Sequence, residues 1–392
     1  MPLGPRANLA ALAITVAALV VAIVRSRGSL ESGIVVVSFL ITVWWAILLL
    51  NPNVISLDAG LTGYRGTVTF VLGIALGFLW LGNTESALRT VWWCLLVACS
   101  IAIVVHVSFP EVESSIYRAA DYYTSNFRGS SRLQGLFAGP FHAAVAGSFL
   151  ALSSLRVGSV ITNPVLRWIG FAVGILCIQL SEVRTGYVAV LVGAIMIALL
   201  AGTPGRRARM IFVLTSLGVC IAAFWGLLLS QIEKIPALAS LLTATEDTRF
   251  LGREETWQRA AEMVVESPIL GWGPGSAGAT LAPSFPPGGH VTSHNLVLKF
   301  AVEGGILGGV LIVALLALLA VAIWRVGDKS GFALPAFIPL LVFATVGSTV
   351  DTLPVSFGIA VILGLCANPK SFASNLPGPR TGRRIEVGGG DR

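Results

Sequence analysis

Apolar stretches long enough to cross a bilayer recur along almost the whole chain, and this recurrence constrains the fold more than any single residue does. A spanning helix needs about 20 mostly apolar residues, with about 17 tolerated. Segments of this kind lie at 7–24, 33–50, 66–82, 91–109, 136–155, 164–181, 186–202, 210–230, 304–324, 333–349 and, shorter and after Pro354, 354–367. Charge agrees with the pattern: 11% of the 392 residues are charged and 55% are apolar, whereas a soluble domain carries about 25% charged residues. Such a chain cannot cover a water-facing surface, and a disordered, fibrous or disulfide-rich secreted protein is excluded. The expected fold is all-α: a polytopic membrane helix bundle of about 10–12 transmembrane helices with one large extracytoplasmic loop carrying short helices.

The five cysteines, Cys94, Cys99, Cys177, Cys220 and Cys366, all fall inside apolar runs and read as small apolar core residues, not as disulfides or zinc ligands. The first run, Leu9 to Val24, ends in Arg25 and Arg27 with no small-residue cleavage site, so it reads as a retained span. The net charge of +7 reflects basic connections between spans and no nucleic-acid partner. Short basic segments at 25–32, 83–90, 156–163, 203–209 and 325–332, together with the tail, alternate with connections rich in acids. By the positive-inside rule the basic set is cytoplasmic. The expected division is a transmembrane domain over 1–367, which includes an extracytoplasmic loop at 231–293, and a disordered basic cytoplasmic tail at 368–392.

Within that loop, 252–267 reads as an amphipathic helix. Arg253 opens it, Glu254 and Glu255 lie in its first turn, Trp257, Ala260, Ala261 and Val264 form its apolar stripe, and Pro268 follows its end. The Gly/Pro-rich stretch from Gly271 to Gly289 must be irregular. A further helix is expected to start at Ser293, a good N-cap residue. Four basic residues fall at helix ends on one expected face: Arg132, Arg184, Arg253 and His294. Gathered at a membrane interface, they suit an anionic ligand such as a phosphate or diphosphate. Taken one at a time, each Arg reads equally as a snorkelling or acid-paired side chain, and His294 as a helix cap. Two other patterns are decoys. The glycines at 271, 273, 275 and 278 mimic a dinucleotide fingerprint without a preceding strand. His290 and His294 have metal-chelating spacing without the glutamate of a zinc helix motif, so no metal site is expected.

In order, the pattern is Arg132-Leu-Gln-Gly135; Ser181 and Arg184 at a span end; Arg253, Trp257, Pro268 and Gly271-Trp-Gly273; then His294-Asn295, Glu303-Gly304 and Gly308. In this order it resembles the O-antigen ligase / O-antigen polymerase superfamily, over roughly residues 125–325. It departs from the family's usual pattern at Gly139-Pro140-Phe141 and at Val183. The resemblance implies a metal-independent glycan transferase, without cofactor, in the cytoplasmic membrane and working on its outer face. It implies a donor saccharide on an undecaprenyl-diphosphate carrier, whose lipid lies among the spans, and an acceptor hydroxyl on a glycolipid for a ligase or on a growing glycan for a polymerase. It assigns catalysis to His294, as general base, and to Arg253 and Arg184, as a diphosphate clamp. Substrate binding falls to Arg132, Gly135, Trp257, Gly271, Gly273 and Asn295. Direct attack would invert the anomeric centre. A transporter or flippase is disfavoured because ionisable residues are nearly absent from span centres.

Overall fold

A computed structural model describes residues 33–54, 56–80, 82–119, 126–127, 130–135, 137, 139–155, 160–201, 248–278, 288–326, 331–347, 350 and 355–368. The expected spans 7–24 and 210–230, the start of the large loop at 231–247, and the tail beyond 368 lie outside the described residues. Among the described residues the chain is helical apart from one short hairpin. The helices are α1 (Gly33–Leu48), α2 (Leu57–Phe78), α3 (Thr84–Ser108), α4 (Pro110–Ala119), α5 (Pro140–Leu155), α6 (Pro164–Ser181), α7 (Arg184–Ala201), α8 (Thr248–Glu266), α9 (Leu296–Val326), α10 (Ala333–Ala344) and α11 (Val355–Ala367). The hairpin pairs β1 (Asn126–Phe127) antiparallel to β2 (Ser130–Ser131). Helices α2, α3, α6 and α9 are long and apolar enough to cross a membrane, while α1, α5, α7, α10 and α11 are apolar and shorter. The all-α membrane bundle read from the sequence is the observed fold.

Capping residues set the helix boundaries. Ser56 Oγ accepts from the Ala59 amide at 3.2 Å to open α2, Asn83 Oδ1 accepts from Ser86 at 2.9 Å to open α3, and Asn163 Oδ1 accepts from Val165 at 2.9 Å, with Pro164 following, to open α6. Each side chain satisfies one of the amides that a helix start leaves without a partner. The cap at Ser56 explains why α2 begins at Leu57 and not near 66, where the purely apolar run begins: Asp58 and Arg65 interrupt the apolar pattern but not the helix.

Small residues let the helices approach closely. A Cβ on Gly364 of α11 would stand 2.1 Å from the Ile74 carbonyl of α2, and one on Gly174 of α6 would stand 2.6 Å from the Gly147 carbonyl of α5. Contact of this kind is what drives association where lipid already solvates apolar surface. Trp45, Phe70, Phe149, Phe300 and Phe343 fill the interior. Phe39, Val97, Ile101 and Leu191 point outward, as a lipid-facing surface requires. Trp80, Trp168 and Trp324 are exposed near the ends of α2, α6 and α9 that share one face, where an aromatic belt belongs. The opposite face gathers the end of α3, the starts of α5 and α9, the turn between α6 and α7, and α8.

The structure revises the re-entry from the large loop. Helix α9 is one continuous element except at Gly305, whose φ of 68° and ψ of −171° break it. The break separates a first segment carrying Lys299 and Glu303 from the long apolar segment that crosses the membrane.

Candidate active site

His294 and Arg253 come together at the loop face. Arg253 lies on α8, which begins at Thr248, so the arginine sits past the first turn and does not open the helix as the sequence suggested. Burial is the main cause that holds the His294 imidazole below its ordinary pKa, and the Arg253 cation adds to it. His294 also has φ +44°, a left-handed conformation that non-glycine residues rarely adopt and that recurs at functional sites. The helix cap after it is Asn295, not Ser293. Asn295 Oδ1 accepts from the Leu298 amide at 3.0 Å, and the backbone turn at His294 prevents the helix from starting earlier. The Asn295 amide also reaches the Thr345 carbonyl at the end of α10, at 3.4 Å. Asn295, expected to bind substrate, therefore anchors the strap that presents His294. Trp257 lies half-buried on α8, one turn beyond Arg253.

Arg132 and Arg184 both lie at the turn between α6 and α7. Arg132 Nε donates to the Ser181 carbonyl at 2.9 Å, and the Leu133 amide donates to the Leu180 carbonyl at 2.9 Å. Glu182, left-handed at φ 52°, ends α6, and Arg184 starts α7 immediately after. The loop carrying Arg132 is fixed from below by Glu113 of α4. Its Oε1 accepts from the Gln134 and Gly135 amides at 2.9 and 2.7 Å, and its Oε2 lies 2.6 Å from His106 Nδ1. Burial pushes the Glu113 carboxyl up, but the His106 ring and the two amides outweigh it and hold the group below its usual range. Gly135, also expected to bind substrate, is thus a structural contact: its amide meets Glu113 and its α-carbon packs on Ala102. Helix α7 packs on α10. With Asn295 bonded to the end of α10, the turn carrying Arg132 and Arg184 and the Arg253–His294 pair share one end of the bundle.

The turn from Pro268 to Ala277 joins α8 to α9 by filling the gap that Gly305 opens. The broken helix leaves the Val302 and Glu303 carbonyls without their usual partners. The Trp272 and Gly273 amides take them at 2.8 and 3.0 Å, and the Ile306 amide donates to the Pro268 carbonyl at 2.8 Å. Gly271 permits this approach: at φ 64°, a Cβ there would stand 2.6 Å from the Glu303 carbonyl. Gly271 and Gly273 therefore shape the turn. Trp272 Nε1 donates to the Met263 carbonyl of α8 at 2.9 Å, and Ala260, Met263, Ala277, Val291 and Val302 form a separate small core around it. Among the described residues, no group of three or more His, Cys, Asp or Glu side chains is placed to hold a metal ion.

Residues 169–313 match the family model for O-antigen ligase. The superfamily resemblance read from the sequence is borne out over that segment. The matched segment runs from α6 into α9 and contains Arg184, Arg253, Trp257, Gly271, Gly273, His294 and Asn295, while Arg132 and Gly135 precede it. The match, together with the apolar helices, supports a membrane glycan enzyme of ligase/polymerase type. No curated protein matches the chain.

The sequence reading passed over the buried ion pair Lys299–Glu303, in which Nζ and Oε1 are 2.5 Å apart. Its signal was present: a Lys and a Glu at i,i+4 inside an apolar helix, where ionisable residues are expensive and need partners.

Proposed function

We propose that the chain transfers a saccharide from an undecaprenyl-diphosphate-linked donor to an acceptor hydroxyl at the outer face of the cytoplasmic membrane. The observation that carries this reading is the pairing of Arg253 with a half-buried His294 whose imidazole is kept neutral by burial and by that cation. A neutral imidazole accepts a proton at neutral pH, and general-base help of this kind contributes on the order of 10²–10⁴ in rate. In the proposed step the acceptor oxygen attacks the anomeric carbon and its proton passes to His294. The bond from that carbon to the diphosphate oxygen breaks, and the lipid diphosphate leaves as an anion. Arg253 and Arg184 bind the diphosphate as planar forks and offset the charge that builds on it, with Arg132 held beside Arg184. Attack opposite the leaving group inverts the centre, and the imidazolium then returns its proton to water. As a ligase the chain would use a glycolipid acceptor such as lipid A core. Polymerisation would use the same chemistry with a glycan acceptor.

Substitution at His294 tests the reading. With an undecaprenyl-diphosphate-linked saccharide as donor and lipid A core as acceptor, His294→Ala is expected to lower transfer by about 10²-fold or more while insertion and folding persist. His294→Asn keeps hydrogen bonding but cannot take the proton, and is expected to be as inactive as Ala. An Asn variant with most of the activity would reduce His294 to a structural residue.

A further inference from the structure

Glu303 is completely buried, yet it has a hydrogen-bond donor from every segment that packs around it. Lys299 Nζ and the Gly275 amide reach Oε1 at 2.5 and 3.1 Å, while Trp45 Nε1 and Thr67 Oγ1 reach Oε2 at 3.0 and 3.2 Å. These donors belong to α9, the glycine turn, α1 and α2. Lys299 extends the network to the Ala277 carbonyl at 3.1 Å. Trp44 Nε1 donates to the Gly304 carbonyl at 2.9 Å, and Asn51 Nδ2 donates to the Gly271 carbonyl at 3.1 Å. A buried carboxylate is tolerated when it is paired and its oxygens are fully hydrogen-bonded, and this one is.

What the network fixes is the frame around His294 and Arg253. The turn that Glu303 grips at Gly275 also carries Trp272, which holds α8 through Met263. It also carries Ser276, whose carbonyl accepts from the Val291 amide at 3.0 Å, three residues before His294. The strap bearing the imidazole and the helix bearing the guanidinium therefore both bond to one turn. Backbone bonds to α9 and the Asn51 amide also hold that turn, and the Glu303 carboxylate is the point where it meets α1, α2 and α9 together.

We propose that Glu303, neutralised by Lys299, is a positioning residue that sets the spacing of Arg253 and His294 by locking the 268–277 turn to α1, α2 and α9. The role rests on the transferase reading above but touches neither substrate nor reacting atoms. It needs an ionised acceptor, because Gln at 303 offers one carbonyl oxygen where the carboxylate offers two and would present an amide donor to Trp45 and Thr67 or to Lys299 and Gly275. Displacing a reacting group by about 1 Å costs on the order of 10²-fold in rate.

The test is the reactivity of His294 towards diethyl pyrocarbonate as a function of pH, followed by mass spectrometry of the modified peptide in full-length protein in detergent. This readout needs no donor or acceptor. In the native protein the modification midpoint is expected below that of an ordinary histidine. In Glu303→Gln, and in the milder double variant Trp45→Phe/Thr67→Val, the midpoint is expected to rise towards that value. The modification rate should rise with it, as Arg253 and the imidazole part and water enters. The same variants should lose kcat by about tenfold to 10²-fold with KM little changed. If both variants fold and leave the His294 midpoint where it was, the positioning role is wrong, whatever happens to activity. If Glu303→Gln does not fold, the double variant decides by the same criterion. If the midpoint moves but native protein and His294→Ala transfer saccharide equally, the transferase assignment of His294 fails while the positioning of the pair stands.

Discussion

His294 is set apart from an ordinary helix-start histidine by two things: its left-handed backbone and the cation beside it. A histidine at a helix start would be kept neutral by the helix dipole. In the structure the causes are burial first and Arg253 second, and this difference yields a prediction. Arg253 disfavours the imidazolium, so its removal lets the His294 pKa rise. The base form is lost as pH falls through that pKa, so in Arg253→Gln the acid limb of kcat/KM is expected to move to higher pH. Arg253→Lys keeps a positive charge, so the limb should stay while the rate falls, because an ammonium cannot make the paired contact of a guanidinium with a diphosphate. Arg184→Lys should also lose rate, with no displacement of the limb. A pH–rate series on the three variants checks this. An unmoved limb in Arg253→Gln, with the enzyme folded, would separate Arg253 from the base.

At the scale of elements, the glycine turn and the break in α9 are two halves of one joint. Gly305 has no room for a side chain: at φ 68°, a Cβ would come 2.3 Å from the Ile269 carbonyl. A left-handed non-glycine residue costs about 1–3 kcal/mol before any collision is counted. Gly305→Ala is therefore expected to lower the thermal unfolding midpoint in detergent and to abolish transfer. Gly252→Ala in α8, where a Cβ would meet nothing within 4 Å, is expected to be neutral or stabilising by about 0.5–1 kcal/mol. Equal midpoints for the two variants would show that the joint does not hold α8. This joint also marks where the sequence stopped being legible. Apolar length and caps were enough to find α6, whose bounds match, because local signals decide them: Asn163-Pro164 at one end and Glu182 at the other. Arg253 and His294 were legible as members of one group of cations because both lie at expected helix ends on one face. The Lys299–Glu303 pair was signalled by its i,i+4 spacing, but the network around it was not, because Trp45, Thr67 and Gly275 are distant in the chain and only tertiary packing joins them to it. For the same reason Gly135 and Asn295 read as ligand contacts from the motif alone, whereas their bonds to Glu113, Leu298 and Thr345 show them holding the chain.

For the whole molecule, the two ends of the bundle differ in how they treat their cations. At the site end Asp58, Glu111, Glu182, Glu254 and Glu255 lie among Arg132, Arg184 and Arg253, and Arg259 is held by Glu262 and Glu266 at 3.1 and 2.8 Å. At the other end, Arg167 donates to the Ser154 and Leu155 carbonyls at 2.9 and 3.0 Å, where it complements the negative end of α5. Arg89 and Arg325 lie at the same end, where Glu85 pairs with Arg89. Cytoplasmic connections retain an excess of Lys and Arg, and acids contribute little to orientation, so the Arg167 end is expected to face the cytoplasm and the site end the exterior. Two residues at opposite ends test this: Glu254, exposed on α8, and Glu85, half-exposed at the start of α3. In spheroplasts treated with a membrane-impermeant maleimide, Glu254→Cys is expected to label above the parent protein at once, and Glu85→Cys only after permeabilisation. The parent protein sets the background: of its five cysteines, Cys99, Cys177 and Cys366 are buried, the exposed Cys94 lies on a lipid-facing helix, and Cys220 lies outside the described residues. Labelling at 85 but not at 254 in sealed spheroplasts would invert the bundle. It would put the Arg253–His294 pair on the cytoplasmic side, where a saccharide already carried outward on its lipid could not reach it.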